Sequence, residues 1–174
     1  ESWKNGWVTQ EVQRNYLEIN SIQDLNEVME PTEDCSLSWL EPINFQLNKF
    51  FYKNIGKKHK WIDRLVWTDA QWIDYVSSEK VKTYVFKFKD DLAGFFELIS
   101  NSEKKEIEIA YFGLLEEFQN KKLGSYLLSQ AIQRSFKGSI DRVWLHTCSL
   151  DHKNALNNYL ARGMKIFKTE TIRI

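Results

Sequence analysis

Little punctuates this 174-residue sequence. It has two prolines, Pro31 and Pro42, and seven glycines, and no Gly/Ser-rich run reads as a linker. A single domain over residues 1–174 is therefore expected, long enough for a sizeable core. Cysteine is equally scarce: Cys35 and Cys148 stand far apart, which excludes a disulfide framework or a C-x-x-C site and points to a reduced, cytoplasmic setting. His146, Cys148 and His152 space as H-x-C-x3-H, without the fourth ligand of a zinc site, so no metal is expected. No apolar run nears the ~20 residues of a membrane helix. No basic stretch followed by an apolar one opens the chain. Charge of one sign is missing too. Lys+Arg and Asp+Glu both count 24, which leaves no electrostatic footprint for nucleic acid or an anionic membrane. No G-x-x-x-x-G-K-[ST] phosphate loop is present.

Aromatic residues, by contrast, are abundant, at 14% with seven Trp, which fits a heavily packed core or an apolar cleft. Residues 7–19 read as a first strand, and Ser21 as the cap of a short helix through Met29. Residues 30–38 are polar and read as a loop. A helix is expected over Phe45 to Ile55, closing near Gly56, and a second over 69–76 with Thr68 as its cap. Between them, Trp61, Leu65 and Trp67 are expected to fill the core against a sheet, with Trp61 and Trp67 also candidate walls of an acceptor cleft. Residues 83–89, 92–99 and 105–115 alternate as an antiparallel meander, with turns at Asp90-Asp91 and Asn101 to Lys104. A helix over 120–136, a strand over 141–148, a helix capped by Asp151 and stopped by Gly163, and a strand over 164–173 complete the chain. The expected fold is thus α/β: a mixed sheet made of a meander followed by β-α-β-α-β, with helices on both faces.

One stretch organises the rest, IEIAYFGLLEEFQNKKLGSYLLSQAIQRSF, residues 107–136. Simple alternation puts Ile107, Ile109, Tyr111 and Gly113 on one strand face and Glu108, Ala110, Phe112 and Leu114 on the other. Leu123, Tyr126, Leu127, Ala131 and Ile132 then recur at helical spacing. The polar loop between them leads into a helix start, where free N–H groups and the helix dipole suit an anionic phosphate. In open α/β sheets ligands bind at this kind of strand end.

The loop resembles the Q/R-x-x-G-x-G/A signature of the GNAT superfamily, the acetyl-CoA-dependent N-acetyltransferases. It matches at Gln119, Gly124 and Ser125 and departs at Lys122, where the family has a glycine. Residues 151–163, DHKNALNNYLARG, resemble the family's second motif through Asn154-Ala155, Tyr159 and Gly163. The likeness covers most of residues 80–174. It implies acetyl transfer from acetyl-CoA to a primary amine of a small molecule or peptide by direct attack. Cofactor contacts would come from Phe112, Leu114, Gln119, Lys121, Lys122, Leu123, Gly124, Ser125 and Asn154. Tyr159 would be the general acid toward the leaving sulfur, and Glu108 the base, alone or through a water. His146 lies on the strand beside the expected cleft and is a further substrate candidate. Small domains of that family often pair, so the likeness allows a homodimer without fixing the oligomeric state. A non-catalytic acyl-CoA-binding module is the alternative reading.

Overall fold

The computed structural model describes residues 10–119, 122–151 and 154–173. Its elements follow the order β1 (Glu11–Ile19), β2 (Cys35–Trp39), α1 (Phe45–His59), α2 (Asp69–Val76), β3 (Val81–Phe88), β4 (Asp91–Asn101), β5 (Glu106–Leu114), α3 (Leu123–Ser135), β6 (Arg142–Cys148), α4 (Ala155–Ala161) and β7 (Lys165–Arg173). Local chemistry sets most boundaries. Asn44 accepts the N–H of Gln46 at the start of α1, and α1 runs past Gly56 to a left-handed Lys60. Thr68 and Gln71 close a reciprocal capping box on α2. The β3–β4 hairpin turns through Lys89 and Asp90, both at positive φ, one residue earlier than expected, and Asp91 already belongs to β4.

The strands form one sheet in the order β2-β3-β4-β5-β6-β1-β7. β2 to β5 are antiparallel neighbours. β5 and β6 are parallel and joined across the sheet by α3. β1 lies between β6 and β7 and is antiparallel to both. One face carries α3 and α4 over a core that includes Phe86, Phe96, Leu127, Ile132 and Val143. The other carries α1 over a smaller core of Phe51, Ile55, Val85, Phe95 and Leu115. Covered on both sides, β3 and β4 are buried at consecutive positions rather than alternate ones.

The sequence reading is corrected at four places. Only Ile22–Asp24 forms a 3-10 turn in the segment expected to be helical up to Met29. Asn26 N–H instead donates to Arg162 O, and Val28 N–H to Ser129 Oγ, so tertiary bonds pull the backbone out of the helix. Residues 30–38, expected as loop, contain most of β2, an edge strand paired with β3 through Cys35 to Trp39. Leu65 does not fill the core but is 55% exposed. The fourth correction concerns β5. Glu97 pairs with Tyr111 and Leu98 with Ile109, so Ala110 is an extra residue, a bulge that reverses the alternation. Ile107 and Ile109 therefore share the α3 face with Phe112 and Leu114. Tyr111 and Gly113 turn to the α1 face, where a Cβ on Gly113 would come within 2.7 Å of Ile55.

Candidate functional site

The β5–β6 pairing stops almost as soon as it starts. Its register runs only over Glu106–Arg142, Ile107–Val143 and Glu108–Trp144. Beyond Glu108 the strands part, and the backbone edge of β5 from Ile109 to Leu114 has no ladder partner on that side. The bulge at Ala110 falls at this point of divergence. The gap opens into a cleft of about 690 Å³ between the two strands, the start of α3, α4 and the segment after α1.

At one end lies the loop between β5 and α3. Gln119 Nε2 donates to Leu114 O at 3.3 Å, tying the loop to the end of β5. Lys122 adopts φ 62° and ψ 14° immediately before α3, and among the described residues no side chain caps that helix. The first N–H groups of α3 are thus left for solvent or a ligand, with the dipole behind them. At Gly124 a Cβ would meet Leu114 no closer than 3.7 Å, an ordinary contact, so packing does not demand glycine there. Asn158 Nδ2 donates to Gly124 O at 3.3 Å and Ser125 Oγ to Lys122 O at 3.3 Å, which fixes the turn. Leu123 is 1% exposed and its side chain belongs to the core, leaving only its backbone for the loop. Asn120 and Lys121 lie outside the described residues, as does the His152 of the metal-spacing reading.

The α3 face of the cleft continues through Phe112, Asn154 and Tyr159. Tyr159 packs edge-on against Phe112, with centroids 6.5 Å apart, and burial followed by the nearby Asp151 carboxylate pushes its phenol up. The phenol therefore keeps its proton at neutral pH. Asp151 does not cap α4 as expected, since the residue before that helix is Asn154. It accepts instead from Thr147 Oγ1 and from Cys148 N–H, and one oxygen lies 3.7 Å from His59 Nδ1. Burial pushes its carboxyl up, but the bonds from His59, Thr147 and Cys148 outweigh it and hold the pKa below the ordinary aspartate value.

The opposite face is built around a buried arginine. Arg64 Nη1 donates to Glu97 Oε1 at 3.0 Å, and Glu97, fully buried, also accepts from Tyr75 OH at 2.7 Å and Asn48 Nδ2 at 2.9 Å. The rings of Tyr75 and Tyr111 lie 4.2 Å from the guanidinium carbon, and Trp67 4.7 Å. Trp67 thus backs Arg64 and does not line the cleft, whereas Trp61 does, packed edge-on to Tyr111 at 4.7 Å. The next carboxylate along, Asp63, accepts from Tyr111 OH at 2.8 Å and Tyr52 OH at 3.0 Å. Glu108 lines the same cleft. Burial raises its carboxyl pKa above the ordinary glutamate value, and Arg64 partly opposes that. His146 stands on the β6 wall, its imidazole pushed down by burial and then by Arg14.

One cleft therefore gathers Glu108, Phe112, Leu114, Gln119, Lys122, Gly124, Ser125, Asn154, Tyr159, Trp61 and His146. Sequence reasoning missed Asp63, Arg64, Arg14, His59 and Asp151 as members of this wall. Only Asp63-Arg64, a charged pair inside an aromatic segment, carried a signal that could have been read. Among the described residues no group of three or more His, Cys, Asp or Glu is placed to hold a metal ion. No helix among them is long and apolar enough to cross a membrane.

The family model described as "Acetyltransferase (GNAT) family" matches residues 40–164. No functionally curated protein matches the sequence. Among solved structures, a functionally unknown conserved protein from Staphylococcus epidermidis superposes with TM-score 0.66 at 17% identity, covering 99% of this chain and 64% of that one. A GCN5-related N-acetyltransferase from Kribbella flavida gives 0.65 at 15% identity, covering 95% and 58%. Another from Sphaerobacter thermophilus gives 0.69 at 14% identity, covering 93% and 50%. At such identities the likeness is one of fold, and this chain spans between half and two-thirds of the length of those proteins.

Proposed function

The chain belongs to the acetyltransferase (GNAT) family, and from that premise we propose that it is an N-acetyltransferase moving an acetyl group from acetyl-CoA to a primary amine. The observation that carries this reading is the continuity of two features in one cleft: an open β5 edge splayed from β6, leading to a helix start that no side chain among the described residues caps. A peptide-like pantetheine arm pairs with such an edge as an added strand does, and a pyrophosphate suits such a helix start. The residues present fit, because Gly124 and Ser125 line the cleft at that helix start and Lys122 adds a cation beside them.

Acetyl-CoA supplies the acyl group already activated as a thioester. The remaining work falls to the chain. β5 N–H groups near Phe112 and Leu114, beyond the end of the β5–β6 ladder, would donate to the thioester carbonyl oxygen. Glu108 takes the proton of the incoming ammonium, directly or through a water. An alkyl amine of pKa ~10.4 is almost wholly protonated at pH 7, and a carboxyl raised by burial is a better base than an exposed one. Tyr159, kept protonated by its burial, donates a hydrogen bond toward the leaving sulfur from the other face.

Calorimetric titration with acetyl-CoA and with CoA tests the cofactor half of the reading. Micromolar binding of both supports it, and no binding up to millimolar concentration overturns it. Tyr159→Phe tests the chemical half: turnover should fall while acetyl-CoA still binds, and unchanged turnover removes Tyr159 from the mechanism.

A further inference from the structure

The acceptor side of the cleft contains a cation that nothing above employs. Arg14 lies on β1, paired in register with Cys148 on β6 and Glu170 on β7, and its side chain lines the cleft. Strand alternation puts it on the sheet face of Tyr16 and of Trp144 and His146 across from it, the face on which Glu108 and Tyr111 also stand. Arg14 Nε is buried and makes no hydrogen bond. Among the described residues no carboxylate lies within ion-pair distance of this guanidinium. Glu170, directly opposite, is already engaged by Tyr16 OH at 2.6 Å and lies 3.6 Å from Lys168. A guanidinium that lines a cavity and has no carboxylate partner is a fork for a planar anion.

On the side of β5 and the segment after α1 the cleft carries Asp63, held by Tyr52 and Tyr111, and Glu108 where β5 and β6 part. On the β6–β1 side Asp151 is taken up by Thr147, Cys148 and His59, which leaves Arg14 as the charge there without an ion-pair partner among the described residues. A polycation would meet Arg14 unfavourably, whereas a molecule with an ammonium at one end and a carboxylate at the other matches both walls. We propose that Arg14 is a carboxylate subsite, and that the acceptor is an amino acid-type zwitterion whose amine faces Glu108 and Asp63. The subsite itself rests on Arg14 and its surroundings; only the fate of the amine rests on the acetyl-transfer reading.

The test uses the ω-amino acids from glycine to 6-aminohexanoate, each paired with the n-alkylamine of equal carbon count, and follows CoA release. With the unsubstituted protein, at least one amino acid should show a KM about 10–100-fold below its paired amine, and the best chain length reports the distance to Arg14. Arg14→Gln should bring that KM ratio close to one, and Arg14→Lys should restore part of it. A ratio unchanged in Arg14→Gln, or amines preferred throughout, overturns the proposal. Weakened acetyl-CoA binding in Arg14→Gln with an unchanged acceptor ratio also overturns it, because the anion would then be the cofactor's. If no amine in either series releases CoA, the acetyl-transfer reading has failed, and the subsite is read by binding alone. The same amino acids are then titrated against intrinsic tryptophan fluorescence: affinity lost in Arg14→Gln supports the subsite, and equal affinity overturns it.

Discussion

The pairing of Arg64 with Glu97 anchors the wall that carries Asp63, and its removal has a calculable cost. Glu97 is fully buried and accepts from Arg64, Tyr75 and Asn48 at 2.7–3.0 Å, while the Arg64 side chain is 5% exposed. Burial works against the charge on Arg64, but Glu97 foremost outweighs it and raises the pKa, so the guanidinium stays charged in the folded protein. Glu97→Gln keeps the shape yet leaves that charge uncompensated, and it sets the Asn48 amide against a second amide where it had a carboxylate. Breaking a buried pair in this way costs about 3–5 kcal/mol. For a domain of this size each kcal/mol lowers Tm by roughly 2–4 °C, so a fall of about 6–20 °C is expected. Urea unfolding of the single variants Glu97→Gln and Arg64→Met and of the double variant would separate pair from context. The double variant should be less destabilised than the sum of the singles by at least ~2 kcal/mol. A coupling below ~0.5 kcal/mol would refute the claim that the pair, and not simple packing of the aromatic rings around Arg64, holds this segment.

Three further predictions follow from the cleft. Lys122→Gly removes a left-handed non-glycine residue and should stabilise the fold by about 1 kcal/mol, while CoA affinity falls with the lost cation; urea midpoints and calorimetry read the two effects separately. Glu108→Gln should lower kcat by about 10²–10⁴-fold and remove the acid limb of the pH–rate profile. In the unsubstituted protein that limb, where rate rises as the carboxyl loses its proton, should lie above the ordinary glutamate range because burial raises Glu108. Asp151 has a depressed folded pKa, so its stabilising effect is present above the ordinary aspartate value and is lost as pH falls through the folded one. Asp151→Asn should thus destabilise at pH 7, and the difference in urea midpoint should shrink as pH falls below the ordinary aspartate value and through the folded one.

Much of the fold was legible because periodicity is a local signal. The meander of β3, β4 and β5, the crossover through α3, the cap at Thr68 and the stop at Gly163 each follow from residues within a few positions of one another. The failures have a common origin in distant partners. β2 reads as polar loop because, at the sheet edge, most of its residues are exposed, and its identity as strand comes from β3. The segment 25–28 has helical spacing, yet bonds to Arg162 and Ser129 decide its path. The bulge at Ala110 reversed the assigned faces of Phe112 and Tyr111, since nothing in AYFG marks where an extra residue sits. Within the site, the loop and helix residues carried a motif, whereas Asp63, Arg64 and Arg14 carry none, because each gains its role from rings or strands far along the chain.

The position of β1 bears on how the molecule reaches this state. β1 fills a slot between β6 and β7, and its ladder joins residues as distant as Glu11 and Arg173. Such contacts give a high contact order, and loop-closure entropy makes them late events. During synthesis the first strand must wait until nearly all of this sequence has emerged, with Val12, Leu17 and Ile19 uncovered meanwhile. The meander and the α3 crossover can condense without it, so folding should show an intermediate in which the end of the cleft at the start of α3 is formed and the β1 slot is empty. Because Arg14 rides on that strand, the Arg14 side of the cleft should be completed only in the last step of folding.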